Sequence, residues 1–305
     1  MRRSRGLGRL ASAHEDRYMR VDDIELRATD GYSLGATLYR PSGPDDSGLF
    51  LLIASAVGAK RGFYSKFAKY FCSQRFHVLC FDYRGIGDSR PKSLVRFQAN
   101  LREWGERDLV GVIDWIATEY GSHLLMAIGH SVGSQVIGLA HNNHRVRAMV
   151  AIAAPSGYWG HWPFPRKYAL AALWYLVVPA IASTFTYFPA RRLNLGEDLP
   201  GGVALEWARW CRHRNYIVDG AGNTIRQYFD AFKAPILFYS FADDPYAPRS
   251  AVEHMMNCYT NAEKSWRHID PHEIGVKAIG HFGFFREQMK SALWAETADW
   301  LRQTQ

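Results

Sequence analysis

Gly129-His130-Ser131-Val132-Gly133 follows the apolar run Leu124–Ile128 and opens a helix-like stretch from Ser134 to Ala140. The order strand, sharp turn, helix places a serine at the apex of the turn, exposed at the carboxyl edge of a sheet. The turn is strained and crowded, so side chains two before and two after the serine would collide with strand or helix, and glycine stands at both positions. G-x-S-x-G alone recurs by accident in roughly one chain in ten of this length. Its context carries the reading, because a serine nucleophile also needs an orienting acid and a base.

Both follow at strand ends. The strand-like run Pro235–Ser240 leads into Phe241-Ala242-Asp243-Asp244-Pro245-Tyr246-Ala247-Pro248, which leaves a carboxylate at the same sheet edge as Ser131. On chemistry alone either Asp243 or Asp244 serves. The base candidate is His281, in the glycine-flanked loop Ile279-Gly280-His281-Phe282-Gly283 ahead of a final helical stretch, Arg286–Leu301.

These motifs resemble the alpha/beta hydrolase superfamily, nearest to serine hydrolases of the monoacylglycerol lipase and serine aminopeptidase type, over roughly Asp30 to Leu301. Asp82-Tyr83-Arg84-Gly85-Ile86-Gly87-Asp88-Ser89 is similar to the D-x-R-G-x-G-x-S turn of that family. The resemblance implies a catalytic triad of Ser131, Asp244 and His281. The family's acid sits four residues before a proline, which selects Asp244 because Pro248 stands four residues on, with Ala247 in place of the usual valine. It also implies that Asp82, Arg84 and Asp88 fix a turn and take no catalytic part.

An oxyanion hole needs two backbone N–H groups aimed at the developing alkoxide. The first is that of Val132, the residue after the nucleophile. For the second, Ser55-Ala56-Val57-Gly58 through Tyr64 resembles the lipase-type H-G-x-G loop and puts the donor at Val57. The usual His-Gly is here Ser55-Ala56, and Ala56 is a second candidate.

Alternating signals place the rest. Val21–Thr29 and Tyr32–Tyr39 read as a hairpin around Asp30-Gly31, and Leu49–Ser55, His77–Asp82 and Ala148–Ala153 read as further core strands. Tyr64–Ser73 and Trp104–Tyr120 are helical by spacing, the second with Leu109, Val112, Ile113 and Ile116 on one face. The expected fold is α/β: a mostly parallel central sheet flanked by helices, with a helical cap insertion. We read 1–19 as a flexible basic leader, 20–154 and 233–305 as the core, and 155–232 as the cap.

The cap holds Trp159, Trp162, Trp174, Trp207 and Trp210, five of the ten tryptophans. Lining a pocket and packing the cap's own core both suit them, and an aromatic lining favours an apolar small-molecule acyl substrate. Tyr168–Ala190 carries no charge and is long enough to span a bilayer. Spanning would put Ser131 and His281 on opposite sides, and Pro179 interrupts the run. Two shorter cap helices are expected, with no stable membrane insertion and with peripheral lipid contact open to them.

The net charge is +8, but part of it is Arg2, Arg3, Arg5 and Arg9 in the leader, and no nucleic-acid motif follows. Cys72, Cys80, Cys211 and Cys258 lack metal-site spacing, which predicts buried thiols in a cytoplasmic protein. His141 and His144 suit a helix end, His268 and His272 a surface turn, and His130 packing. No cofactor and no metal are expected. The reading is a serine hydrolase of esterase or lipase type; an acyltransferase with the same triad and a non-catalytic binding protein are the rivals, and oligomeric state is open.

Overall fold

Strand and helix signals resolve, in the computed structural model, into one large sheet. Residues 19–43, 46–193 and 195–304 are described, so the leader read at 1–19 lies outside them except for Met19. β1 (Met19–Arg27) and β2 (Ser33–Pro41) form the expected antiparallel hairpin, with Gly31 of its turn at φ +82°. β3 (Leu49–Ala54), β4 (His77–Phe81), β5 (Leu124–His130) and β6 (Ala148–Ile152) follow. β7 (Tyr187–Phe188) and β8 (Leu199–Pro200) make a separate ribbon, and β9 (Ile236–Phe241) and β10 (Lys264–Ile269) complete the main sheet. Its order is β1-β2-β4-β3-β5-β6-β9-β10, parallel from β4 onward. Every residue of β3 is buried, as a strand covered on both faces requires.

The order creates the site. The chain leaves β3 towards β4 on one side and leaves β5 towards β6 on the other, although β3 and β5 are neighbours. Loops diverge there and open a crevice at the carboxyl ends of the strands.

Helix α1 (Ser65–Ser73) packs beside β4. The next stretch runs from Leu101–Glu103 through a π turn at Trp104–Leu109 into α2 (Val110–Glu119), and it buries Leu109, Val112, Ile113 and Ile116 as the spacing predicts. Three features differ from the sequence reading. The expected break at Pro179 does not divide the apolar cap stretch: α4, which follows the short elbow helix α3 (Val132–Ile137), is continuous over Arg166–Phe185. A π turn at Leu173–Val177 widens this helix just before the proline, which relieves the ring's clash with the preceding turn. Strand β10 has no apolar run to announce it, because as an edge strand it mixes Lys264, Arg267 and His268 with Trp266. His268, read as a surface-turn residue, lies within this strand, its Nδ1 2.7 Å from Ser240 Oγ.

Candidate active site

Ser131 stands between β5 and α3 at φ +52°, ψ −117°. A side chain held at such a backbone conformation costs roughly 1–3 kcal/mol. Hydrogen bonds on both sides over-determine it: Ser131 N–H donates to Ile152 O at 2.9 Å, and Ser134 N–H donates to Ser131 O at 3.1 Å. The glycines do what the motif demands. A Cβ on Gly129 would come 2.5 Å from Ser134 Cα, and one on Gly133 would come 2.0 Å from the Ala54 carbonyl oxygen. Both obstacles are backbone, so Gly133→Ala is expected to lower unfolding stability by about 3 kcal/mol. Urea denaturation checks this, and an unchanged midpoint would refute the close approach.

The two aspartates diverge in use. Asp244 is buried, with Oδ2 2.8 Å from His281 Nδ1, while its Oδ1 accepts from the N–H groups of Tyr246 at 2.8 Å and Ala247 at 3.2 Å. Asp243 faces outward and accepts from the N–H groups of Ile279 at 2.8 Å and Gly280 at 3.0 Å. One carboxylate therefore meets the imidazole and the other meets the loop that carries it.

At the carboxyl end of β3, Ala56 N–H donates to Tyr64 Oη at 2.8 Å and is thereby occupied. Among the described residues, the N–H groups of Val57 and Val132 donate to no protein acceptor, and both residues face the same cavity as Ser131 and His281. The left-handed position in this loop falls on Gly58, at φ +70°, and not on Ala56. An alanine in place of the usual glycine is thus accommodated.

His130 is packed, but it is also wired. Its Nδ1 lies 2.8 Å from Tyr64 Oη and its Nε2 lies 2.9 Å from the carbonyl oxygen of His281. Because the carbonyl oxygen of His281 can only accept, Nε2 carries the proton and donates to it, and Nδ1 of the neutral ring accepts from Tyr64 O–H. That arrangement needs a neutral ring, and burial pushes the His130 pKa well below its ordinary value. Nothing in the sequence pairs residue 64 with residue 130.

The cavity is about 690 Å³ and mainly apolar, within the range of small-molecule sites. Trp162, Trp174 and Trp207 line it, whereas Trp210 is fully buried and donates from Nε1 to Val218 O at 2.9 Å. The cap tryptophans thus serve both uses. All four cysteines are buried and unpaired by disulfides.

Asp82, Arg84 and Asp88 lie in a structural turn. Asp82 accepts from Arg61 N–H at 2.7 Å and from Asp88 N–H at 3.1 Å, and a Cβ on Gly87 would come 2.3 Å from its Oδ2. Arg84 is clasped by Asp30 and Asp108, and burial pushes the Asp108 carboxyl up to about 7. Among the described residues, metal-type side chains converge at Asp46, His77 and His123, within 4.8 Å, at the amino ends of the strands and away from the cavity. His123 Nε2 meets Asp46 Oδ2 there at 2.8 Å. His141 and His144 take no part in this group.

Known proteins resemble this arrangement over nearly its whole length. The quorum-quenching protein AidA of Acinetobacter baumannii (strain MDR-ZJ06) is 22% identical, with 92% of this chain and 94% of that protein covered. A soluble variant of monoglyceride lipase from Saccharomyces cerevisiae, solved with a substrate analogue, superposes with a TM-score of 0.69 at 12% identity, covering 93% of this chain and 96% of that one. Est816, described as an N-acyl homoserine lactone degrading enzyme, gives a TM-score of 0.57 at 16% identity, covering 92% and 99%. Residues 50–291 match the sequence model of the alpha/beta hydrolase family, and the chain belongs to that family.

Proposed function

We propose that the protein is a serine hydrolase that cleaves an ester or related acyl bond of an apolar small molecule. The observation that carries this reading is the 2.8 Å contact between Asp244 Oδ2 and His281 Nδ1 beside a cavity into which the strained Ser131 also faces. Ser131 Oγ attacks the carbonyl carbon and gives its proton to His281 Nε2. The oxyanion is held by the Val132 and Val57 N–H groups, each worth roughly 3 kcal/mol. Collapse breaks the bond to the leaving group, which takes the proton from His281. Water then attacks the acyl-enzyme, gives a proton to His281, and releases the acid as Ser131 is reprotonated. Asp244 holds the ring and offsets the imidazolium charge. No cofactor enters these steps, and the four buried thiols support a cytoplasmic setting.

The aromatic lining predicts a clear optimum in acyl length. Hydrolysis of p-nitrophenyl esters from acetate to palmitate checks it, together with fluorophosphonate labelling of Ser131. Flat rates across the series would remove the pocket from the argument. Transfer to added alcohols or amines in preference to water would make the enzyme an acyltransferase.

A second reading is favoured by the quorum-quenching relative and the lactone-degrading neighbour. A lactone is a cyclic ester, and the same steps open it, with the leaving alkoxide still tethered to the acyl group. N-acyl homoserine lactones offered to the protein test it: proton release followed in a pH-stat supports a lactonase, and none removes that reading.

A further inference from the structure

Helix α4 has a mean hydropathy of 1.6 over its most apolar window, yet only 17% of that window is buried. A helix that is apolar all round is normally covered all round. Its inner face is covered, since Leu170, Leu173, Trp174 and Val178 line the cavity. Its outer face is bare: Tyr168, Tyr175, Leu176, Val177 and Phe185 are exposed, Leu176 at 67%, and Phe164 at 77% extends the row. Contiguous exposure of this kind marks a contact surface, unlike hydrophobic residues scattered singly.

Charge indicates what covers it. Residues 160–196 contain no Asp or Glu, and Arg166, Lys167, Arg191 and Arg192 bracket the helix. Arg191 is tied to Glu197. Among the described residues no ion pair engages Arg166, Lys167, Arg192 or Arg212; Lys167 and Arg212 lie over the rings of Tyr168 and Tyr175, at 5.2 and 5.5 Å. Cations beside exposed tyrosines and aliphatic side chains suit a lipid–water boundary. A second copy docked on the same face would bring these cations together, whereas anionic headgroups neutralise them.

We propose that the outer face of α4 docks on an anionic phospholipid surface, the helix lying in its plane. It does not span, because its inner face walls the cavity that Ser131 and His281 share. Docking itself is independent of the triad. Its consequence, that a membrane-borne substrate is separated from the cavity by a single helix, rests on the proposed function.

Co-sedimentation of the full chain with phosphatidylcholine vesicles, with and without phosphatidylserine, tests the docking. Binding is expected to the mixed vesicles and to weaken with added salt. Arg192→Gln should lower it about fivefold, and Leu176→Asp combined with Tyr168→Asp more than tenfold. Both exposed residues lie outside the cavity lining, so turnover of a soluble short-chain ester should be unchanged in the double variant, and Ser131→Ala should bind vesicles as well as the unmodified chain. Absence of binding, or equal binding to neutral vesicles, overturns the proposal. So does a dimer in light scattering that Leu176→Asp dissociates, because the face then belongs to a second copy.

A different observation supports a second inference, which rests on the proposed triad. The backbone around His281 is gripped from both sides, by Asp243 on the N–H groups of Ile279 and Gly280 and by His130 on its own carbonyl, and Tyr64 ties His130 to Ala56 in the oxyanion loop. We infer that Asp243, Tyr64 and His130 are positioning residues that set the imidazole against the oxyanion donors. Asp243→Ala and Tyr64→Phe should each lower kcat about tenfold to a hundredfold with KM nearly unchanged, as a small misplacement does. Asp243→Asn should recover only part of the loss, because Oδ2 and Oδ1 each accept one of the two N–H groups and the amide keeps a single acceptor oxygen. If kcat of both variants stays within about twofold of a parent that labels at Ser131, the frame is refuted and the triad stands. If the parent neither labels nor turns over, triad and frame fall together.

Discussion

Ser131→Ala is expected to abolish turnover, with kcat falling on the order of a millionfold, and to end fluorophosphonate labelling. The loss is large because alanine offers no oxygen to attack with, and Ser131 is the residue that the strained turn presents, at φ +52°. The fold should survive. Alanine bears the same Cβ as serine and meets the same backbone strain, and the two hydrogen bonds that fix the turn come from main-chain atoms. An unfolding midpoint close to that of the parent, beside a dead enzyme, is therefore the expected pair of results. Turnover that survives would remove Ser131 from the reaction and with it the proposed function.

Much of this site is legible in the chain because its parts obey local rules. The elbow glycines are dictated by contacts within one strand–turn–helix unit and by the adjacent β3, so five consecutive residues announce the position of Ser131. The buried strands read as apolar runs because both of their faces are covered. What was not legible depends on long-range pairing. Asp243 and Asp244 are chemically alike; the spacing to Pro248 singles out Asp244, but the grip of Asp243 on the loop that carries His281 appears only in three dimensions. Ala56 and Val57 are likewise separated by a hydroxyl eight residues away, that of Tyr64, which occupies the first amide. The bare outer face of α4 could not be inferred from its composition, since an apolar helix is equally compatible with burial. Pro179 misled because the π turn before it absorbs what a regular helix would not.

Asp244→Asn provides the most discriminating test of the proposed chemistry, because the surroundings dictate how the new side chain must lie. In the parent, Oδ1 accepts two backbone N–H groups, from Tyr246 and Ala247, and Oδ2 meets His281 Nδ1. An asparagine there must keep its oxygen on the two donors, so its NH₂ group points at the imidazole. A donor facing Nδ1 requires a lone pair on that nitrogen, which moves the ring proton to Nε2. Nε2–H cannot accept the proton of Ser131, so the geometry is preserved while the base is in the wrong tautomer. The expected result is a fall in kcat on the order of ten-thousandfold, with little change in KM and little in stability. Asp243→Asn is the matched control: it alters the adjacent carboxylate in the same way, keeps one of its two N–H contacts and leaves the tautomer alone, so its fall in kcat should be far smaller. If instead Asp243→Asn is the inactive variant, the acid of the triad has been assigned to the wrong aspartate, and the 2.8 Å contact with His281 serves structure alone.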